Sequence, residues 1–226
     1  MNVLVVAAHP DDEVLGAAGT VARLTDEGHG ASILILGEGA TSRAASRSEG
    51  PSAEVDALAE QSRAAAAVLG VDDVRHVGLP DNRFDRVDLL DVVKEVEAAI
   101  ERVEPSLVLT QHGGDVNIDH QVAFKAVMAA TRPVPGSGVE SVLAFEVGSS
   151  TEWAFGAFAP AFSPMVFYDI TATLDRKLEA MACYATEQRP FPHPRSPESL
   201  TAQARRWGST IGVGAAEAFQ LVRERR

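Results

Sequence analysis

The chain has 226 residues, 46% of them hydrophobic, and a formal net charge of −12 at pH 7. Its length fits one large domain with an ample core, while the acidic balance argues against nucleic acid, whose phosphates bind basic surfaces. No apolar run approaches the ~18 residues of a membrane span and no basic leader precedes the first apolar run, so we expect neither a membrane segment nor a secretory signal. The single cysteine, Cys183, excludes an internal disulfide and favours a cytoplasmic location.

Segments with strand and helix patterns alternate through the first 132 residues. Short apolar runs predict strands at residues 3–7, 31–36, 73–77 and 106–110, and apolar residues at helical spacing predict helices at 14–27, 54–69, 89–103 and 121–131. Such alternation is typical of an α/β fold, and it predicts a Rossmann-like, doubly wound, mostly parallel sheet.

The pattern changes after Pro133, where a turn rich in proline and glycine begins. Beyond this turn we predict strands at residues 142–147 and 165–168 and helices at 172–185, 200–207 and 215–223. The sequence contains no internal repeat and no convincing linker. We therefore expect a single domain over residues 1–226, with a Rossmann-like core at 1–132 and a C-terminal elaboration at 133–226.

The sequence His9-Pro10-Asp11-Asp12-Glu13 joins the first predicted strand to the first predicted helix. In an open α/β sheet this is the carboxyl end of a strand, where such folds bind ligands. A dinucleotide-binding turn would have glycines here, whereas histidine with carboxylates suits Zn²⁺. A further acid beside a ligand can act as a general base. The alternative is that Asp11 and Asp12 only cap the helix, which leaves His9 unexplained.

A second polar cluster, residues 111–120, follows the fourth predicted strand. Loops after the first and fourth strands can lie side by side at one edge of the sheet, so this cluster can complete the first. A catalytic zinc usually has three protein ligands and one open position, and His9, Asp12 and His120 would supply the three. Taken alone, His120 would be an ordinary histidine at a helix N-terminus; the acids of the first turn change that interpretation.

Other catalytic motifs are missing from the sequence. No glycine-rich stretch precedes Lys-Ser or Lys-Thr, and no Gly-x-Ser-x-Gly sequence occurs. Three further loops could contribute to a site: the long polar loop at 37–51, the turn-rich loop at 78–85 and the proline-rich loop at 191–196.

Together, residues 8–13 and 115–120 resemble the motifs of the LmbE-like, or PIG-L, family of zinc-dependent N-deacetylases. The similarity covers most of the chain, including the order of strands and helices, the loop at 79–85 and the tail at 174–219. Residues 191–196 resemble a subgroup of bacterial and archaeal sugar deacetylases. The resemblance implies hydrolysis of an N-acetyl group, commonly on N-acetylglucosamine or a conjugate of it.

The resemblance also implies a role for each motif residue. His9, Asp12 and His120 match the ligands of one zinc ion per chain, for which another divalent metal could substitute. Asp11 matches the general base. Asp119 matches an acid that orients the catalytic or ligand histidine.

The sequence departs from the family at Asn117, where many members have a histidine assigned to charge stabilisation or leaving-group protonation. Asparagine cannot deliver a proton at neutral pH, so either Asn117 only hydrogen-bonds the substrate or another group takes this role. We expect His193, held between two prolines, to take it, from its own or a neighbouring subunit. Arg43, Asp81 and Arg83 lie on loops expected at the rim of the site, where they would bind sugar hydroxyls or a phosphate; the alternative for each arginine is a solvated loop charge.

We thus expect a cytoplasmic, homo-oligomeric hydrolase that acts on a small N-acetylated sugar and binds neither nucleic acid nor membrane. Two alternatives stay open. An amidase acting on a thiol conjugate of an aminosugar would use identical ligands. A non-catalytic α/β protein that binds carbohydrate or nucleotide would purify without metal.

Overall fold

The computed structural model describes residues 1–41 and 52–226. Within these ranges the elements are, in order, β1 (Asn2–Ala7), α1 (Asp12–Asp26), β2 (Gly30–Gly37), α2 (Ser52–Val68), β3 (Asp73–Leu79), α3 (Leu89–Val103), β4 (Leu107–Gln111), α4 (Ile118–Ala130), β5 (Ser141–Phe145), β6 (Val166–Asp169), α5 (Leu174–Cys183), α6 (Pro197–Ile211) and β7 (Ala216–Glu224). Single-turn 3₁₀-helices lie at Phe84–Arg86 and Glu152–Ala154. Among the described residues, no helix has the length and apolar character needed to cross a bilayer.

The strands form one sheet in the order β3-β2-β1-β4-β5-β7-β6. The first five of these pair in parallel, whereas β7 runs antiparallel to its two neighbours, β5 and β6. The predicted α/β fold with a mostly parallel sheet is therefore confirmed, and the strands after residue 132 extend the same sheet.

Helices cover both faces of the sheet, and β1 shows how the sequence encodes this. Alternate residues of β1 point to opposite faces. Val3 and Val5 belong to a cluster with α1, α2 and α5, and Leu4 and Val6 belong to a cluster with α3 and α4. Because both faces are buried, the strand is a continuous apolar run instead of an alternating one.

The helix predicted for residues 215–223 is wrong, because this segment forms β7. Its alanine and glutamate residues favour a helix, but differences among ordinary residues reach only about 0.7 kcal/mol each. In the sheet, Phe219 pairs with Phe145 of β5 on one side and with Val166 of β6 on the other. Backbone pairing on both edges, with Phe219 fully buried, outweighs the local preference.

A buried ion pair attaches β7 and α5 to the middle of α1. Lys177 Nζ lies 2.6 Å from Glu217 Oε1 and also donates to the carbonyl of Leu15 (2.8 Å). The Glu217 carboxylate accepts from the backbone N–H groups of Gly19 (3.0 Å) and Thr20 (2.7 Å). Because both charges are almost fully buried, these additional hydrogen bonds are needed to offset the cost of desolvation.

The sheet has a topological switch point beside β1. From β1 the chain proceeds to β2 and β3 on one side, and then crosses to β4 on the other side. Loops that follow β1 and β4 therefore diverge to opposite faces, which opens a crevice at the carboxyl edge of the sheet. Residues 8–11 and 112–117 lie at this crevice.

Candidate active site

The turn after β1 is held by the acidic residues within it. Asp11 has a left-handed backbone conformation, with φ of 99°, which is uncommon for a residue other than glycine. The backbone N–H of His9 donates to Asp12 Oδ2 (2.8 Å), and that of Asp11 donates to Glu13 Oε2 (3.1 Å). The hydroxyl of Tyr184 in turn donates to Glu13 Oε1 at 2.5 Å. These bonds offset the strain of the turn and fix the Asp12 carboxylate and the Asp11 backbone.

Carboxylates lie at both nitrogens of the His9 ring. Nδ1 is 3.5 Å from Asp12 Oδ2, and Nε2 is 2.9 Å from Asp119 Oδ2 and 3.4 Å from Asp81 Oδ1. Asp119 also accepts from the backbone N–H groups of Asn82 (2.6 Å) and Phe84 (2.9 Å). Asp119, which the resemblance assigns to orienting a histidine, thus contacts His9.

His120, in the first turn of α4, has the corresponding arrangement. Its Nε2 is 3.2 Å from Asp12 Oδ2, and its Nδ1 is 3.1 Å from Asp115 Oδ2. Asp115 is fully buried and accepts from the hydroxyls of Ser150 and Thr151, the latter at 2.8 Å. The carboxylate that orients His120 is therefore Asp115, a residue to which the sequence analysis gave no role.

The His9–Asp12–His120 group fits a zinc ion. One donor atom from each of the three lies within 4.8 Å of the others. Each histidine has one nitrogen on the Asp12 side and the other on an outer carboxylate, the arrangement that fixes the tautomer of zinc-binding histidines. His9, Asp81 and Asp119 form a second such group, but two backbone N–H groups already bind the Asp119 oxygens. We therefore interpret that group as support for His9.

The electrostatics of the group favour a bound cation. Burial lowers the pKa of His9, but hydrogen bonds to Asp119 and Asp12 outweigh this and raise it to about 10. The pKa of His120 is likewise raised to about 9, because Asp12 and Asp115 outweigh its burial. Burial disfavours ionised Asp12, yet the two histidines hold its pKa well below the usual range. The carboxylates around His9 and His120 carry negative charge, which either protons on the two histidines or a bound metal ion would compensate. Metal binding would release those protons.

The Asp11 carboxylate contacts a partly buried guanidinium, that of Arg195, instead of a histidine of this group. Its Oδ2 lies 2.6 Å from Nη1 of Arg195, which also contacts Glu187 at 3.2 Å. The Nε of Arg195 donates to Ser149 Oγ (2.9 Å). Burial raises the pKa of Asp11 to about 7, and the charge of Arg195 opposes this rise. A carboxylate that is buried, oriented and adjacent to a candidate metal ligand is suited to proton transfer.

The proline-rich loop does reach the site, but its contact with Asp11 is made by Arg195. His193 Nδ1 accepts from the backbone N–H of Arg195 (3.2 Å), and its ring packs edge-to-face against Trp153, with centroids 5.8 Å apart. In the neutral ring the proton therefore lies on Nε2. Partial burial and the charges of Arg195 and Arg189 lower the pKa of His193.

The residues that we expected to bind substrate do not lie together at one rim of the site. Asp81 is buried against His9, and Asn117 Oδ1 caps α4 by accepting from the N–H of Asp119 (2.9 Å). Arg83 is half-buried and lines, with Asp85 and other residues of its loop, an open depression of about 390 Å³. Arg43 lies outside the described residues.

Two residues of the site, Asp115 and Arg195, were not predicted from the sequence. A role for Asp115 could have been predicted, because it is an acid in the strand-to-helix loop that precedes His120. Nothing in the sequence indicated a role for Arg195, since only folding brings residue 195 to residue 11. His112, in the same loop as Asp115, has a structural contact instead: its Nε2 donates to the carbonyl of Pro160 (2.8 Å).

Known proteins similar to this chain include both deacetylases and a hydratase. A probable N-acetyl-α-D-glucosaminyl L-malate deacetylase 2 of Bacillus cereus is 28% identical over 191 residues, which cover 82% of this chain and 83% of the relative. A 4-oxalmesaconate hydratase of Pseudomonas putida is 29% identical over 196 residues, covering 83% and 74%.

Comparison with solved structures gives the same fold. The protein in the crystal structure of GalB, the 4-carboxy-2-hydroxymuconate hydratase of Pseudomonas putida, is 28% identical in sequence. The two structures superpose with a TM-score of 0.78, covering 100% of this chain and 97% of that one.

A family model described as PIG-L: GlcNAc-PI de-N-acetylase matches residues 4–131. Because this match spans more than half of the chain and includes His9, Asp12 and His120, the protein belongs to the PIG-L family.

Proposed function

We propose that the protein is a zinc-dependent N-deacetylase acting on an N-acetylglucosamine-type sugar or sugar conjugate. The observation that supports this most strongly is the His9–Asp12–His120 group with the Asp11 carboxylate beside it, at the switch point of the sheet. Deacetylases among the relatives, such as the B. cereus protein, favour the same substrate class.

These contacts suggest a chemical role for each residue of the site. His9, Asp12 and His120 would hold the metal, whose chemistry when bound is Lewis-acid activation of the carbonyl and of water. Asp11 takes a proton from the attacking water as the water oxygen bonds to the acetamide carbon. The carbon–nitrogen bond then breaks, the sugar nitrogen takes up a proton, and acetate leaves.

The proton for the sugar nitrogen comes from Asp11 in this proposal. Asn117 cannot supply it, and the lowered pKa of His193 makes its charged, acidic form scarcer at neutral pH. We retain His193 as the residue whose Nε2–H hydrogen-bonds the substrate near the leaving nitrogen. Arg43, Arg83 and Asn117 are retained as substrate-binding residues, whereas the burial of Asp81 against His9 favours a supporting role.

Acetate release from a panel of N-acetyl sugars tests this function. The zinc-loaded protein should release acetate from N-acetylglucosamine, N,N′-diacetylchitobiose or N-acetylglucosaminyl malate, and Asp11→Asn should release it far more slowly. A thiol conjugate of an aminosugar in the same panel tests the amidase alternative. No acetate from any member, or equal release by Asp11→Asn, would contradict the proposal.

Hydration of a carbon–carbon double bond is a second candidate. A hydratase relative of 29% identity and a hydratase structure with a TM-score of 0.78 support it. Adding water to a double bond leaves no amine to protonate, so the missing histidine at Asn117 would not matter. Incubation with 4-carboxy-2-hydroxymuconate, followed by loss of ultraviolet absorbance, tests this candidate against acetate release.

We further propose that the protein is cytoplasmic. The lone cysteine supports a cytoplasmic location. We also propose a single domain with an elaboration after residue 132, and a homo-oligomer in which a neighbouring loop could contribute His193. Light scattering of the purified protein would test the assembly.

A further inference from the structure

We propose that Trp153 is a stacking platform for a pyranose ring of the substrate, an inference that rests on the sugar deacetylase function proposed above. Trp153 lies in the 3₁₀-turn Glu152–Ala154, and 45% of its surface is exposed. Trp153 belongs to one wall of the site. We call residues 148–153 and 190–196 the outer wall.

The two segments of the outer wall contact each other at two points. The Nε of Arg195 donates to Ser149 Oγ at 2.9 Å. The ring of His193 meets that of Trp153 at 82°, with centroids 5.8 Å apart. The orientation of the Trp153 ring is therefore set by the neighbouring loop.

The inner edge of the outer wall reaches the proposed reaction centre. Arg195 contacts Asp11, the proposed base, at 2.6 Å. Thr151 donates to Asp115, which contacts His120, a proposed metal ligand. Trp153 follows Thr151 by two residues, and its ring contacts His193, which precedes Arg195 by two residues, so Trp153 adjoins both segments that reach the centre.

This order of residues matches the chemistry of an N-acetylated sugar. Charged and hydroxyl groups at the inner edge suit the acetamide, whereas an exposed indole beyond them suits the apolar C–H face of a pyranose ring. Indole combines a large apolar face with a rigid position, and sites of this kind pair a few polar groups with aromatic lining. A substrate with its acetamide beside Asp11 would extend its ring over Trp153.

Steady-state kinetics with N,N′-diacetylchitobiose and N-acetylglucosamine test the platform. Trp153→Ala should raise KM by about tenfold, the scale of an aromatic contact, with a smaller change in kcat, because stacking acts on bound substrate and transition state alike. Trp153→Phe should recover most of the loss. The matched control is Phe158→Ala, which removes an aromatic residue of similar exposure, 42%.

Intrinsic fluorescence gives a measurement independent of turnover. Trp153 and Trp207 are the only tryptophans of the chain. In an Asp11→Asn background, N,N′-diacetylchitobiose should change the emission, and the change should vanish when Trp153→Phe is added. Wild-type kinetics in Trp153→Ala, or equal losses in Phe158→Ala, would overturn the platform while leaving deacetylation intact. If the wild type deacetylates no sugar, the proposed function fails, and a sugar-dependent emission change from Trp153 would still support the platform.

Discussion

The candidate metal-ligand group and the outer wall are built in opposite ways. His9, Asp12 and His120 lie in the turns and first helical turns that follow two central parallel strands, and all three are almost fully buried. The two histidines have carboxylates on their outer sides. The outer wall consists of loops from the C-terminal part of the chain, and Trp153 is among its exposed residues.

The contrast separates two demands on the site. A metal site must hold its ligands to within fractions of an ångström, which rigid strand ends and buried hydrogen bonds provide. Substrate choice can be made by loops, which vary without disturbing the core. If this division holds, changes in the candidate ligand group should affect metal binding, whereas changes at exposed residues of the outer wall should affect only kcat or KM.

The largest effect is expected for His9→Ala. Removing one ligand of the buried group should abolish stoichiometric metal binding and activity, while the far-ultraviolet circular dichroism spectrum stays the same. His29→Ala, at a histidine in the turn after α1, is the matched control and should keep the metal. Full activity in a metal-free wild type would remove the basis of the proposed mechanism.

Asp11→Asn should separate catalysis from metal binding. Asp11 contacts Arg195 instead of the two histidines, so metal content should be retained while kcat falls by about 10²–10⁴-fold, the usual scale for general acid–base catalysis. Metal analysis and kcat on the same preparation check both points. A parallel loss of metal would mean that the assignments of Asp11 and Asp12 are wrong.

Asp115→Asn should weaken metal binding without removing a ligand. Loss of the carboxylate behind His120 is expected to lower metal affinity by about 10–100-fold, as for other outer carboxylates of metal sites. Competition with a chelator measures the affinity, and Asp85→Asn, an exposed aspartate in another loop, serves as the control. An unchanged metal affinity would mean that Asp115 serves only to accept the hydrogen bonds of Ser150 and Thr151.

His193→Ala is expected to have the smallest effect. Since Asp11 carries the proton in the proposed mechanism, kcat should fall by roughly tenfold or less, the value of one hydrogen bond of about 1.4 kcal/mol, with metal content unchanged. Kinetics across pH 6–9 check this. A fall as large as that of Asp11→Asn would make His193 the acid, and recovery on mixing His193→Ala with Asp11→Asn subunits would place it in a neighbouring subunit.

The ligand group was accessible from sequence because it depends on local pattern and topology. An apolar run followed by His9 and acids, and a second such run followed by His120, suffice once both strands are assigned to one parallel sheet. Contacts such as Arg195 with Asp11 join residues 184 positions apart and have no local signature. The misassigned β7 has the same cause, because its pairing partners β5 and β6 are distant in sequence.

The ion pair between Lys177 and Glu217 makes the first half of this chain depend on the second half. All three proposed ligands lie within residues 4–131, the part of the chain that the family model matches. Yet α1, which begins with Asp12, is bonded at Leu15, Gly19 and Thr20 by the two charges. Excised residues 1–132 would lose both. The half of the chain that contains the proposed ligands is therefore not expected to fold correctly by itself, because two charges that hold α1 come from beyond residue 132.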